Sequence, residues 1–188
     1  YSEEEAPVED YPVTVFFSRE GYFKKITPQS LRMSGEQKFK EGAALMLSYE
    51  ASNSSELLVF TDRGQCYKTR LSEFADTKAS ALGTYLPTAL KMDEGENAVF
   101  VMDPKDYSGS VLYFYENGKA ARVELAGFMT KTNRRKLTGA YSDKSPLAAI
   151  IPIYADTEVA LYSSDGRTLV FSTVLLAPKS SKTTQGVS

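Results

Sequence analysis

Lysine and arginine recur at two fixed positions relative to a repeated pair of glycines. Four residues after a first glycine stand the strand-position bases, Lys25, Lys68 and Arg122. Four or five residues before a second glycine stand the loop-position bases, Lys38, Lys78, Arg134, Arg135 and Lys182. Regularly spaced cations suit the phosphates of a nucleic-acid backbone, because such contacts need charge and carry no base identity. The spacing therefore predicts a surface that binds a nucleic-acid backbone through many weak contacts.

Further bases beside these positions complete the predicted phosphate-binding set. Residues 110–140 contain six bases and two acids, the strongest local excess of positive charge. The additional members of the set are Lys24, Lys40, Arg70, Lys119, Lys131 and Lys136. A competing interpretation is that these bases are ordinary solvated side chains, because outward strand positions must be polar and lysines on edge strands oppose aggregation.

Composition excludes several kinds of active site. The chain has no histidine, which excludes a Ser-His-Asp triad, a Cys-His pair and a histidine-ligated zinc. The single cysteine, Cys66, lies on a predicted strand and is interpreted as a core or strand residue. Asp93 and Glu94 lie in a turn-like stretch and are interpreted as loop residues. No catalytic residue, metal site or cofactor is predicted.

A repeat of β-hairpins positions the bases. Each repeat has an apolar run, a polar turn that ends in the first glycine, and a second alternating run; the four segments begin at Val13, Leu57, Val111 and Val159. The first glycines are Gly21, Gly64, Gly118 and Gly166, and the second glycines are Gly42, Gly83, Gly139 and Gly186. Hairpin turns need positive φ, which glycine supplies. Further strands are expected to begin at Ala44, Ala98 and Leu147.

This repeat predicts an all-β, propeller-like fold of roughly four-stranded blades with little helix. Units of about 40–50 residues have the size of propeller blades. The predicted domain is 11–188, with blades at about 11–55, 56–109, 110–157 and 158–188; the last is incomplete, so about three and a half blades are expected, from a longer protein. Residues 1–10 form an acidic linker or disordered tail.

The net charge of the whole chain differs in sign from that of residues 11–188. The chain has 22 bases and 24 acids, a formal charge of −2, and this balance by itself argues against a nucleic-acid binder. Residues 1–10 hold five of the acids and no base, which leaves 22 bases and 19 acids in residues 11–188. We therefore expect modest, salt-sensitive binding.

Several motifs resemble a known family. Residues 19–25 (REGYFKK) resemble the Gly-Tyr-x-Lys-Arg blade motif in the C-terminal domain of the DNA gyrase and topoisomerase IV A subunits. Residues 58–67 are similar to that family's following strand pattern, and residues 181–187 resemble its loop motif that ends in Gly-Val. The resemblance covers about residues 11–188.

The resemblance implies a β-pinwheel, whose blades exchange strands and whose rim binds and bends DNA. It implies an accessory domain of a bacterial type IIA topoisomerase, non-catalytic by itself, in the cytoplasm at the nucleoid. The implied partners are duplex DNA, the ATP-binding B subunit, and the catalytic core that belongs to the same polypeptide. By resemblance, Lys24 and Lys25 correspond to the Lys-Arg pair of the motif, and Lys68 and Arg122 to its counterparts in later blades.

One departure leaves the choice between gyrase and topoisomerase IV open. Gyrase has a Gln-Arg-Arg-Gly-Gly-Lys-Gly box in the first-blade loop, where this chain has residues 36–42, EQKFKEG. The double arginine and internal glycines of that box are absent and only two lysines remain, which leaves open whether DNA is wrapped chirally or only bent. Two other function classes compete: a protein-interaction propeller without DNA binding, and a hydrolase or lyase on a propeller scaffold, which the lack of histidine disfavours.

Overall fold

The computed structural model describes residues 9–33, 45–129, 136–137, 139–142, 144–155, 158–162 and 167–172. The chain divides into two compact units, Tyr1–Asp103 and Pro104–Ser188. The strands of the first unit are β1 (Pro12–Ser18), β2 (Tyr22–Ile26), β3 (Leu45–Ser52), β4 (Glu56–Thr61), β5 (Cys66–Arg70), β6 (Thr84–Tyr85) and β7 (Ala98–Met102). Those of the second are β8 (Ser110–Tyr115), β9 (Ala120–Glu124), β10 (Lys136–Leu137), β11 (Leu147–Ile153), β12 (Glu158–Tyr162) and β13 (Thr168–Ser172).

Helices are few and short among the described residues. The α-helices are α1 (Pro28–Met33) and α2 (Leu86–Ala89), and Leu71–Glu73 and Leu125–Phe128 each form a 3₁₀ turn. Antiparallel sheets form most of the remaining regular structure, which confirms the predicted all-β class. None of the helices in this part of the chain has the length and apolarity that crossing a membrane would require.

The first sheet combines an early hairpin with a strand from much later in the sequence. Its order is β3-β1-β2-β6. Alternate residues of β1 face the core, so that Val13, Val15 and Phe17 are buried. β6 follows the second hairpin in sequence, yet it pairs antiparallel with β2 of the first, with Tyr22 opposite Tyr85. This pairing is the strand exchange that the resemblance implied.

The second sheet of this unit is built around β4, which is buried on both faces after its first residue. β4 pairs antiparallel with β5 on one side and with β7 on the other. An apolar core lies within this unit, and its largest buried side chains include Phe17, Phe23 and Leu57. The predicted strand at Ala98 is confirmed as β7, and Cys66 is buried within β5 as predicted.

The second unit repeats the same hairpin arrangement. β8 pairs antiparallel with β9 and β11, and β12 pairs antiparallel with β13. Leu112, Phe114 and Ile153 form a small apolar cluster, against which Phe171 packs edge-on at 6.0 Å between ring centroids from Phe114. All four predicted hairpins are therefore confirmed as strand pairs. The blade limits stay a prediction, as does the single domain over 11–188.

Candidate nucleic-acid interface

The first hairpin presents Lys24 and Lys25 toward protein and not toward solvent. Gly21 closes the turn at φ 86°, and its N–H donates to the Ser18 carbonyl at 3.0 Å. In β2, Lys25 lies opposite Val15 of the neighbouring strand. Each lysine is only 2% exposed. A buried ammonium must be paired or hydrogen-bonded, because its desolvation otherwise costs several kcal/mol.

Both ammonium groups have partners within the first unit. Lys24 Nζ donates to the Ala79 carbonyl at 2.9 Å. Lys25 Nζ donates to Asn53 Oδ1 at 2.6 Å and to the Leu71 carbonyl at 2.9 Å. The same nitrogen lies 3.3 Å from Asp76 Oδ1. Burial lowers the pKa of Lys24 below its ordinary value of 10.5.

This burial bears on part of the sequence prediction. Lys24 and Lys25 were predicted to contact DNA phosphates, whereas in the structure neither side chain reaches the surface. A phosphate contact by either lysine stays a prediction. The sequence motif is real, but its two bases hold protein carbonyls and a carboxylate. Alternation could not reveal this, because lysine on a strand normally points to water. The partners that would have revealed it, Asn53 and Asp76, are distant in sequence.

The segment held by these lysines is the crossing loop, residues 74–83, which leads from the second hairpin back to the first sheet. The Thr77 N–H donates to the Lys25 carbonyl at 2.9 Å, and the Ala81 N–H donates to the Lys78 carbonyl at 3.0 Å. Lys78 lies between these contacts with its side chain exposed. It is the loop-position base that falls within the described residues.

The second glycine of this repeat has a steric reason. Gly83 has φ 92°, and a Cβ there would clash with the Phe23 carbonyl oxygen and lie 2.7 Å from Lys24 Cγ. A side chain would therefore push the end of the crossing loop away from β2 just before β6 begins. Gly83 thus allows the close approach on which the strand exchange depends.

The other strand-position bases are half-buried within their own hairpins. Lys68 Nζ lies 3.9 Å from Glu56 Oε2 on the neighbouring strand. Arg122 Nε donates to Ser110 Oγ at 3.3 Å across the β8–β9 pair. These contacts indicate a structural contribution from this position in the first three repeats, where Lys25 is buried and Lys68 and Arg122 are half-buried.

The remaining predicted bases fall into two groups. Arg70 is exposed, whereas Lys119 and Lys136 are half-buried. The predicted bases that lie outside the described residues are Lys38, Lys40, Lys131, Arg134, Arg135 and Lys182. The structure therefore brings Lys24 and Lys25 of β2 next to the crossing loop that contains Lys78. Phosphate contacts by the predicted set of bases stay a prediction.

The chain entering β1 is fastened to the same place. Tyr11 OH donates to the Asp76 carboxylate, with oxygen distances of 2.8 and 3.0 Å. Asn53 Nδ2 donates to the Glu9 carbonyl at 2.7 Å. Burial, together with the hydrogen bond and negative charge of Asp76, raises the pKa of Tyr11 to about 12. Tyr11, Lys25, Asn53 and Asp76 thus form one polar network.

A second buried polar cluster has no signal in the sequence patterns. The Glu96 carboxylate is 2% exposed and accepts hydrogen bonds from Tyr67 OH at 2.6 Å, Gln65 Nε2 at 2.7 Å and Thr61 Oγ1 at 2.9 Å. Burial, and then this carboxylate, raises the pKa of Tyr67 above its ordinary value. The cluster anchors the turn before β7. Its donors satisfy Glu96, so the geometry is that of a structural carboxylate.

Other site chemistry is weak in the described part of the chain. No group of three or more potential metal-ligating side chains occurs among those residues. An open cleft of about 480 Å³ beside β1 and β3 has Glu50 and Asp103 as its charged lining residues. Two carboxylates disfavour a phosphate ligand there, so the cleft is not part of the predicted DNA surface.

The fold matches solved β-pinwheel domains. The chain superposes on a structure described as the C-terminal domain of DNA topoisomerase IV with a TM-score of 0.76 and 20% identity, over 93% of this chain and 56% of that one. It also superposes on the E. coli ParC C-terminal domain (TM-score 0.67, 14% identity, 94% and 70% covered) and on the DNA gyrase A C-terminal domain (0.62, 16%, 94% and 59%). The predicted propeller-like β-pinwheel fold is confirmed.

Sequence comparison points to the same proteins. The chain is 24% identical to the A subunit of DNA topoisomerase 4 from Staphylococcus epidermidis and 22% identical to that from Staphylococcus aureus, in both cases over 176 residues and 91% of this chain. It spans 22% of the length of these curated relatives. No family model matches the chain. The resemblance to the gyrase and topoisomerase IV A subunits, stated from the motifs, is confirmed.

Proposed function

We propose that this chain is a DNA-binding and DNA-bending accessory domain in the A subunit of a type IIA topoisomerase. The observation that carries the proposal is the β-pinwheel fold with an exposed loop-position base, Lys78, on the loop that exchanges a strand between hairpins. Because the related chains are topoisomerase A subunits, duplex DNA is the ligand that best fits a repeated basic loop.

In this mechanism the duplex lies along the loop-position bases, and the strand-position bases stabilise the blades. Each loop supplies one or two phosphate contacts, which carry no sequence preference. Bending a duplex costs several kcal/mol, so the bend forms only when several loops are engaged together. The proposed role is to hold a bent segment for presentation to the strand-passage gate of the parent enzyme.

The proposal places the reaction chemistry outside this chain. Strand breakage belongs to the catalytic core of the parent polypeptide, and ATP binding belongs to the B subunit of the enzyme. Both are proposed partners. No cofactor is assigned to the chain itself, and the cytoplasm at the nucleoid is the proposed location.

Mobility-shift titration with a duplex of about 40–60 base pairs tests DNA binding directly. We expect a shift at low salt and a linear fall of log affinity with log salt. Energy transfer between dyes at the duplex ends should rise on binding if the DNA is bent. Absence of a shift at low salt, or affinity indifferent to salt, would contradict DNA binding and favour a protein-interaction module.

A further inference from the structure

The crossing loop is fixed on both sides of Lys78 by contacts to one dipeptide of β2. Before Lys78, the Thr77 N–H donates to the Lys25 carbonyl at 2.9 Å. After it, the Ala79 carbonyl accepts from Lys24 Nζ at 2.9 Å. Lys78 is exposed between these anchors, whereas Ala79 is buried. The position of the exposed cation is therefore set by residues that are themselves buried or half-buried.

A buried ammonium is an expensive way to hold a loop if stability alone is needed. An apolar side chain of similar length would fill the same space without the desolvation penalty, and such replacements are often neutral or stabilising. A lysine supplies what the apolar side chain lacks, a directional hydrogen bond to one chosen carbonyl. The choice of Lys24 at this place points to control of loop position.

The neighbouring network restrains the same loop at its beginning. Lys25 Nζ contacts Asp76 and the Leu71 carbonyl, and Asp76 in turn accepts from Tyr11 OH. Gly83 ends the loop by close approach to β2. Contacts at its start, middle and end thus bring the loop down onto β2.

We propose that Lys24 is a positioning residue for DNA binding, which holds the crossing loop so that Lys78 meets a phosphate while Lys24 itself touches no DNA. This inference rests on the proposed DNA-binding function. It states that a buried side chain sets the position of an exposed DNA-binding one. Its consequence is that removal of the Lys24 ammonium removes the phosphate contact of Lys78.

A double-mutant cycle in DNA binding tests the inference. Wild type, Lys24→Met, Lys78→Gln and the double variant are titrated with the same duplex at several salt concentrations. The salt slope is the slope of log affinity against log salt concentration. Loss of one phosphate contact should lower its magnitude by about 0.9. We expect this decrease for each single variant and no further decrease for the double variant. Lys91→Met, at an exposed lysine outside the crossing loop, is the charge control and should retain the wild-type slope.

Amide hydrogen exchange reports loop position without DNA. In Lys24→Met we expect faster exchange of the Thr77 and Ala81 amides, while the amides of β1 and β4 retain their protection. Lys24→Arg keeps a positive donor and should keep most of the salt slope. It also supplies a second variant, should the Met side chain prevent folding.

The outcomes separate the inference from the function on which it rests. If wild type fails to bind DNA, the proposed function fails. If wild type binds and Lys78→Gln lowers the slope, but Lys24→Met leaves it unchanged, only the inference fails. Additive effects of Lys24→Met and Lys78→Gln would also overturn it, since the two residues would then act separately. Unchanged binding in Lys78→Gln removes the contact that Lys24 is proposed to position, and so overturns the inference as well.

Discussion

At the scale of single residues, the need for a glycine depends on the atoms around it. Gly83 and Gly118 both have positive φ, 92° and 82°, but their surroundings differ. A Cβ at Gly83 would clash with the Phe23 carbonyl, whereas a Cβ at Gly118 would meet nothing within 4 Å. The pair therefore separates the effect of backbone conformation from the effect of crowding.

Alanine substitution at these two glycines tests that separation. Gly118→Ala suffers only from the left-handed backbone and should lower the free energy of unfolding by about 1–2 kcal/mol. Gly83→Ala adds a clash with β2 and should cost about 3 kcal/mol or more. Urea unfolding of both variants measures the difference. Equal costs would show that the close approach of the crossing loop contributes nothing.

Two phenols that donate to carboxylates, Tyr11 and Tyr67, make the stability of the molecule fall at alkaline pH. The raised pKa values of Tyr11, about 12, and of Tyr67 mean that folding retains their protons. Stability from them is fully present below about pH 10 and is lost as pH rises from there through the folded pKa values. The lowered pKa of Lys24 has the opposite effect on stability. Between its folded pKa and about pH 10.5 the unfolded chain binds the extra proton, so the free energy of unfolding rises with pH in that range.

Replacement of one phenol should weaken this pH dependence. We expect the free energy of unfolding of wild type to fall above about pH 10, and Tyr67→Phe to show a shallower fall. At about pH 8 the variant should already be less stable by about 1–2 kcal/mol, because Glu96 loses one of its donors. Urea titrations across this range measure both effects. If the free energy of unfolding of the variant fell as steeply with pH as that of wild type, the assignment of this pH dependence to Tyr67 would be contradicted.

At the scale of elements, the turn between β3 and β4 joins the chain entry to the crossing loop. The Asn53 side chain links the Glu9 carbonyl to Lys25 Nζ, and its backbone N–H donates to the Tyr11 carbonyl at 2.9 Å. The Asn53 side chain is buried, so water has little access to replace it as a partner of these groups. The turn is therefore part of the support of the crossing loop.

Asn53→Ala should lower the free energy of unfolding by about 2–3 kcal/mol, because Lys25 Nζ loses an acceptor in a buried setting. Its exposed neighbour offers a control, since Ser54→Ala should change stability by less than about 0.5 kcal/mol. Thermal unfolding of the two variants provides the comparison. A small effect at Asn53 would mean that water replaces its amide and that the network is not closed.

Sequence patterns predicted the elements better than the directions of their side chains. Hairpins at Val13, Leu57, Val111 and Val159 followed from local alternation and glycine turns, which neighbouring residues determine. The burial of Lys24 did not follow, since it depends on a loop more than 50 residues later that covers β2. A base recurs at the same position of the first three repeats, while its surroundings change from the buried first repeat to the half-buried third.

At the scale of the whole molecule, the basic residues divide by their position within the repeat. The strand-position bases stabilise sheets, and the loop-position bases carry the proposed affinity for DNA. The formal net charge is −2, so the total charge cannot attract DNA. The proposed attraction must therefore come from the distribution of the bases over the surface. Salt dependence should consequently follow the loop positions and not the number of lysines removed.

The most direct measurement compares two triple variants that lose the same charge. Lys78→Gln, Arg134→Gln and Arg135→Gln together remove loop-position bases; Arg19→Gln, Lys91→Gln and Lys144→Gln remove exposed bases elsewhere. Mobility-shift titrations against salt should show the magnitude of the slope reduced by about 2–3 and affinity weakened at least about tenfold in the first variant. The second should stay within about twofold of wild type. Equal losses in both variants would contradict the assignment of DNA affinity to the loop-position bases.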